Sequence, residues 1–269
     1  MLRLKFGNTK GIAQFMETKK ELRISESFYS VQGEGASSGY PAYFIRLQGC
    51  NLMCGGKDGS LVKEGKATWW CDTEYVWRNG EGKPFSFLID DWKKEKILDW
   101  ILEGRVHLIW TGGEPTLAKH QTAIADCVKY LYNEYPGSGL FNEIETNGTR
   151  VIGDRLFDEL DQINCSVKLS NSGMKRDMRI YPAALERIME HNSHWFKFVI
   201  SNEDDMKEIE EDFVKPFNIN PARVLMMPGL DKRKDYHERT LFCMEMAKKY
   251  GYVGLTRLHV SAWDQTTGV

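Results

Sequence analysis

Along most of the chain, short apolar runs rich in β-branched and aromatic residues alternate with longer stretches of helical period. The runs predict strands at "AYFIRL" (42–47), "VHLIWT" (106–111), "LFNEIET" (140–146), "CSVKLS" (165–170), "WFKFVIS" (195–201), "RVLMMP" (223–228) and "LTRLHVS" (255–261). Helices are predicted between them. In 118–134, Ile124, Val128 and Leu131 fall at i, i+4 and i+7, on one helix face. "PAALERIMEH" (182–191) opens with proline, which suits a first helical turn. Segments 203–215 and 236–250 are charged outside and apolar along one side.

Strand–helix alternation of this kind implies an α/β fold of parallel strands joined by crossover helices. Right-handed crossovers curl such a sheet toward an open or partial barrel. Ligands then bind at the carboxyl ends of the strands. "WTGGEP", "ETNGT" and "KLSNSG" sit at three successive strand ends. Turn-making explains any one of these Gly- and Asn-containing motifs. Three together, with Glu114 and Glu145 beside them, indicate a binding rim.

Composition narrows the class. The chain has 269 residues, enough for one large α/β domain or two small ones, so no disulfide staple is needed for a core. A formal net charge of −2 argues against a dedicated nucleic-acid or membrane-surface binder. No apolar run reaches membrane-spanning length. Residues 1–20 read as a loosely attached extension without a signal peptide, and 21–269 as a single domain. The expected setting is the reducing cytoplasm, where clustered cysteines more often bind metal or act chemically than pair.

That setting gives the six cysteines their meaning. Cys127, Cys165 and Cys243 fall on apolar faces and read as small core residues. Cys50, Cys54 and Cys71 flank Gly, Asn and Asp outside any apolar period. A zinc site normally takes four protein ligands, or three plus water, and the paired C-x-x-C knuckles of common zinc folds are absent. Three thiolates also suit an iron–sulfur cube with one iron left open for a small molecule. By spacing alone, both metal readings stay open.

The surrounding residues carry a resemblance. "GCNLMC" resembles the start of the radical S-adenosylmethionine motif C-x3-C-x2-C, and "TGGEP" resembles that superfamily's S-adenosylmethionine-binding element. With "FYSVQGEGASSGYPAYFIRLQGCNL", "CDT", "WTGGEPTL", "ETNGT" and "KLSNSG", the chain resembles the 7-carboxy-7-deazaguanine synthases of queuosine and 7-deazapurine biosynthesis over roughly residues 25–260. The resemblance implies a partial, laterally open (β/α) barrel of the radical S-adenosylmethionine type. It implies conversion of 6-carboxy-5,6,7,8-tetrahydropterin to 7-carboxy-7-deazaguanine with loss of ammonia, by a 5′-deoxyadenosyl radical and with Mg²⁺.

Residue by residue, the resemblance assigns a [4Fe–4S] cluster to Cys50, Cys54 and Cys71, and Mg²⁺ to Thr73, with Asp72 supporting from outside. It assigns S-adenosylmethionine to Gly112, Gly113, Glu114, Thr146, Asn147, Lys168 and Ser170, with the Glu114 carboxylate and nearby backbone on the ammonium. Substrate falls to Val31, Gln32, Gly33, Glu34, Arg46, Thr111 and His259. Gln32 and Glu34 match the amide-and-amino edge of a pterin, and Arg46 matches its carboxylate. For His259, a satisfied strand histidine is the alternative. Leu169 and Asn171 depart from the family pattern, which often has proline there. So does the gap between the last two cysteines, 16 residues (55–70) instead of two. That insert reads as a polar surface excursion, a candidate docking surface for a flavodoxin or ferredoxin donor. The resemblance further implies a homodimer. A radical activase acting on a protein partner would share the cysteines and "TGGEP" but not "SVQGEG" or Arg46. A zinc-stabilised binding module and a diverged member with another substrate are the remaining readings.

Overall fold

A computed structural model describes residues 21–229, 232–266 and 268. The proposed extension at 1–20 lies outside the described residues. One nine-stranded sheet carries the fold, in the order β3-β1-β2-β4-β5-β6-β7-β8-β9. The strands are β1 (Glu21–Val31), β2 (Pro41–Leu47), β3 (Glu81–Pro84), β4 (His107–Gly112), β5 (Asn142–Thr146), β6 (Gln162–Val167), β7 (His194–Ile200), β8 (Val224–Pro228) and β9 (Val253–Gly254). From β2 through β9 neighbours are parallel, while β1 pairs antiparallel with both β2 and β3. The sheet does not close on itself, so the fold is a laterally open (β/α) barrel.

Period-two alternation sorts the side chains. One face of the sheet puts Tyr43, Ile45, Leu108, Trp110, Ile144, Cys165, Phe196 and Phe198 into the main core. Full burial of each large apolar side chain contributes about 1.5–3 kcal/mol. Against that face packs the helix Ala118–Glu134, through Ile124, Cys127, Val128 and Leu131. The intervening positions face the other way. Ala42, Phe44 and Ile109 form a small apolar cluster with Phe28. Arg46, Thr111, Glu145, Ser166 and Lys197 line the cavity.

The fold differs from expectation at both ends of the sheet. β1 and β3 lie outside the strands predicted from periodicity. Strand "LTRLHVS" does not form. After β9 pairs two residues with β8, the chain turns away from the sheet and 258–263 becomes the helix Leu258–Trp263. The Leu258 N–H goes to Gly33 O, at 3.0 Å, instead of to a ladder partner. β6 also starts and ends three residues earlier than predicted, because the chain leaves the sheet after Val167, placing Lys168 on the cavity wall and forming the turn Ser170–Ser172. Segment 203–215 begins as the helix Asp204–Glu208 and continues as a π-helix, Ile209–Val214.

Candidate active site

Glycine geometry joins the cysteine loop to the end of β4. Gly113 N–H donates to Leu47 O at 2.9 Å and Glu114 N–H to Gly49 O at 2.8 Å. A Cβ at Gly113 would lie 1.9 Å from the Gly49 carbonyl oxygen. Gly112 has φ +109°, a conformation that favours glycine. No side chain fits between these two backbones.

Cys50, Cys54 and Cys71 are free thiols on the wall of one cavity. The Cys71 N–H donates to Cys54 O at 3.1 Å, so the third thiol returns beside the second despite the insert. Burial pushes the Cys50 thiol up to about 12 and Cys54 to about 11, the latter against the pull of Lys168. Burial, then Asp72, raises Cys71 as well. Such thiols ionise readily only when a metal supplies positive charge. Among the described residues, no three His, Cys, Asp or Glu side chains converge where one ion could be held. A lone zinc gathers its ligands at about 2.0–2.3 Å around one point, whereas a cube offers each thiolate its own iron. Three thiols with no fourth protein ligand among the described residues suit an iron–sulfur cube that keeps one iron open for a small molecule.

The insert is bolted down at its ends. Gly55 N–H donates to Ser172 O at 2.8 Å and Thr68 N–H to Asn171 O at 2.9 Å. Trp69 Nε1 donates to Asn171 Oδ1 at 2.9 Å, and the Thr68 and Ser201 hydroxyls meet at 2.7 Å. Asn171, where the family often has proline, also donates to Val199 O at 2.9 Å. The excursion expected from sequence is thus a bracketed unit, exposed at 63–66 and also at Lys57, Asp58, Thr68 and Trp70. It delivers Trp69 and Trp70 to the cavity. The Lys168 ammonium lies 5.6 Å from the centre of the Trp69 ring.

Two expected ligand contacts are placed elsewhere. Glu114 is fully buried and does not line the cavity. Its Oε1 accepts from Thr116 N at 2.9 Å and Thr146 Oγ1 at 2.7 Å, and its Oε2 from Asn147 N at 2.7 Å. These bonds tie the ends of β4 and β5 together. Ser170 turns outward to Glu208, with its N–H 2.9 Å and its hydroxyl 2.5 Å from the carboxylate. Ser166 takes the inward place and accepts from Lys168 Nζ at 2.9 Å. Thr146 and Asn147 do line the cavity, and Asn147 Nδ2 donates to Asn51 Oδ1 at 3.1 Å.

At the other end, the charged groups alternate in sign. Glu34 meets Lys197 at 2.5 Å and Arg257 Nε at 2.8 Å. Burial works against its charge, but the two cations hold its carboxyl well below the usual range. Arg257 also pairs with Asp72. Arg46 pairs with Glu26, donates to the Tyr75 hydroxyl at 3.3 Å and lies 5.0 Å from the Phe28 ring centre. Gln32 is engaged in holding the loop: its Nε2 donates to Glu145 at 3.2 Å and its Oε1 accepts from Glu34 N at 3.1 Å. The Thr111 hydroxyl donates to the same Glu145 at 2.7 Å. His259 sits on the short final helix, against Gly33 and 4.0 Å from Glu34. Burial lowers its pKa in spite of Glu34, so the ring is neutral near pH 7. Thr73 Oγ1 lies 3.4 Å from Cys71 Sγ.

The cavity measures about 450 Å³, within the usual range for small-molecule sites. Val31, Gln32, Gly33, Glu34, Arg46, Thr73, Thr111, Gly112, Gly113, Lys168 and His259 line it with the three cysteines. Sequence reasoning missed Lys197, Arg257, Ser166 and Trp69. Lys197 alone carried a signal, as a single cation inside the apolar run "HWFKFVI".

Comparison with known proteins agrees with this geometry. No protein-family model matches the chain. The 7-carboxy-7-deazaguanine synthase of Pyrobaculum aerophilum is 31% identical over 257 residues, covering 94% of this chain and 100% of that protein. The enzyme of the same name from Rhodopirellula baltica is 30% identical over 231 residues, covering 82% of this chain and 77% of that one. The crystal structure of QueE from Escherichia coli superposes with a TM-score of 0.62 at 19% identity, covering 94% of this chain and 100% of that one. That last likeness bears on the fold alone. The extent and identity of the Pyrobaculum match, over a barrel with three free thiols at its rim, show that the chain belongs to the 7-carboxy-7-deazaguanine synthase family.

Proposed function

We propose that the cavity converts 6-carboxy-5,6,7,8-tetrahydropterin to 7-carboxy-7-deazaguanine, with loss of ammonia. The observation that carries this reading is one cavity with three free thiols at one end and the paired Glu34, Lys197 and Arg257 at the other. When bound, a [4Fe–4S] cluster with S-adenosylmethionine supplies an electron and a 5′-deoxyadenosyl radical for hydrogen removal at the pterin C6. Cys50, Cys54 and Cys71 hold the cluster. Gly112 and Gly113 let backbone approach the methionine moiety, and Thr146, Asn147, Ser166 and Lys168 line the nucleoside side.

Glu34 stays ionised between two cations, so its remaining lone pairs accept from the amide-and-amino edge of a pterin. Gln32 and Thr111 hold Glu34 and Glu145 in place. Arg46, steadied by Glu26, meets the substrate carboxylate. The neutral His259 ring closes the wall over Gly33 and adds no charge. The Thr73 hydroxyl is the protein's contribution to a Mg²⁺ oxygen shell that orients the substrate.

The free state of all six cysteines suits a reducing cytoplasm, and no described helix is long and apolar enough to cross a membrane. A flavodoxin- or ferredoxin-class donor supplies the electron. A homodimer is the assembly that the family likeness suggests, and 21–269 is the catalytic domain.

The test is an anaerobic assay with reconstituted protein, S-adenosylmethionine, Mg²⁺, dithionite and the pterin. Product is identified by mass spectrometry, and iron and sulfide are counted in wild type and Cys54→Ala. Product from wild type, with loss of iron and sulfide in the variant, is expected. Zinc without sulfide, or no deazaguanine from fully loaded protein, would refute the reading.

A further inference from the structure

Beyond β9 the chain becomes a wall of the site. Leu258 N–H is fixed to Gly33 O, and the His259 ring packs on Gly33. Val260, Asp264, Gln265 and Thr266 line the cavity. Farther along, Asp264 accepts from Arg233 N at 2.8 Å and Ala262 O from Arg233 Nη2 at 2.7 Å. Arg257 stands at the root of this segment, with its side chain only 11% exposed.

Its guanidinium bridges two loops far apart in sequence. Nε holds Glu34, on the loop after β1, and Nη2 holds Asp72, between Cys71 and Thr73. Glu34 belongs to the substrate end of the cavity, and 71–73 to the cluster end. A planar guanidinium presents its donors at fixed angles, so two carboxylates on one fork are held at a set separation. A lysine ammonium carries the same charge without that fixed geometry. Without a cation between them, the two carboxylates would also repel.

We propose that Arg257 is a positioning residue that sets the substrate-facing carboxylate of Glu34 at a fixed distance from the cluster-side segment 71–73. The inference rests on the function given above. Hydrogen removal depends steeply on distance, and a misplacement of about 1 Å costs about 100-fold. A loosened substrate loop would let the cofactor be cleaved without conversion of substrate.

The experiment uses full-length Arg257→Gln and Arg257→Lys. In metal-free protein, hydrogen exchange is followed over 30–38, 70–77 and, as a control, β7. Both loops are expected to exchange about threefold or more faster in Arg257→Gln, with β7 unchanged. A change confined to the C-terminal segment, or to one loop, overturns the proposal. In reconstituted protein, the ratio of released 5′-deoxyadenosine to deazaguanine is expected to rise about tenfold in both variants, at unchanged iron content. A wild-type ratio in Arg257→Lys overturns the role of the fork. An unchanged ratio with only a raised KM makes Arg257 a plain binding group, and also overturns it.

Should Arg257→Gln fail to fold, Asp72→Asn interrogates the same bridge from its other side. Faster exchange at 30–38 in that variant supports the proposal, and wild-type exchange there overturns it. Absence of product from wild type would refute the assigned reaction, while the exchange measurement would still decide the bridge.

Discussion

Replacing Asn171 by Ala tests whether the insert is held as a bracket. The Asn171 side chain accepts from Trp69 Nε1 and donates to Val199 O, both at 2.9 Å, and the residue is 6% exposed. Alanine removes both bonds and leaves an indole N–H and a carbonyl without partners. Each orphaned buried group costs about 1–3 kcal/mol. Trp69 is half-buried, so water recovers part of its share, and the total is about 3 kcal/mol. In a protein of this size that lowers Tm by about 6–12 °C. Calorimetry of the metal-free protein reads the first effect. Alkylation by iodoacetamide at about pH 8 reads the second, residue by residue. In wild type the cluster thiols should label slowly, because burial has raised all three pKa values. In Asn171→Ala, Cys54 and Cys71 should label about tenfold faster as the bracket opens, while the fully buried Cys127 and Cys165 stay protected. Asn171→Asp keeps the acceptor for Trp69 but turns an oxygen toward Val199 O, so its loss should be comparable. A Tm within about 2 °C of wild type, with unchanged labelling, would show that the insert does not depend on this residue.

Three further outcomes are expected. Gly113→Ala forces backbone apart at the Gly49 carbonyl, so the purified variant should take up no cluster on reconstitution, as read by iron and sulfide content. Glu34 titrates below its ordinary 4.5 in the fold, so its contribution to stability is present above that pH and lost as pH falls through the lowered value. Lys197 titrates above its ordinary 10.5, so its contribution is present below that pH and lost as pH rises through the higher value. Lys197→Met should therefore cost about 3 kcal/mol between those limits, the low end for a broken buried pair because Arg257 stays on Glu34, and flatten both limbs of a urea-denaturation series; limbs of unchanged slope would refute the pairing. Ser170→Ala should change S-adenosylmethionine affinity less than about twofold, against about tenfold or more for Lys168→Ala. Equal losses in equilibrium binding would return Ser170 to the site.

The parallel part of the barrel was legible because β2 and β4 through β8 are buried strands flanked by turn residues, and the helix Ala118–Glu134 shows its face directly. β1 was not, since after Leu22 and Ile24 its residues are only half-buried and its pattern mixes polar with apolar. The last element failed for another reason: "LTRLHVS" has strand composition, but Gly33 claims the Leu258 N–H. At the site, motif residues with local backbone roles, such as Gly112 and Gly113, could be read from the resemblance of "TGGEP" to a family motif. Arg257 could not, because its meaning lies in Glu34 and Asp72, which are distant in the chain. The direction of the Ser170 hydroxyl was not legible either, because a turn begins there and swings it toward Glu208.

The bracketed insert also offers a handle for engineering. Its ends are pinned, with Cys71 N–H on Cys54 O and Thr68 N–H on Asn171 O. The backbone bonds of its tip run within the insert, Gly65 N–H to Val62 O at 3.0 Å and Lys66 N–H to Leu61 O at 2.8 Å; a Cβ at Gly65 would meet nothing within 4 Å, and Glu64 and Lys66 beside it are exposed. Foreign sequence grafted at 64–66 would therefore lengthen the chain without moving the thiols, since loop-closure entropy grows only slowly with length. A fluorophore, an affinity peptide or a fused redox module placed there would ride on the unit that also carries Trp69 and Trp70 of the cavity wall.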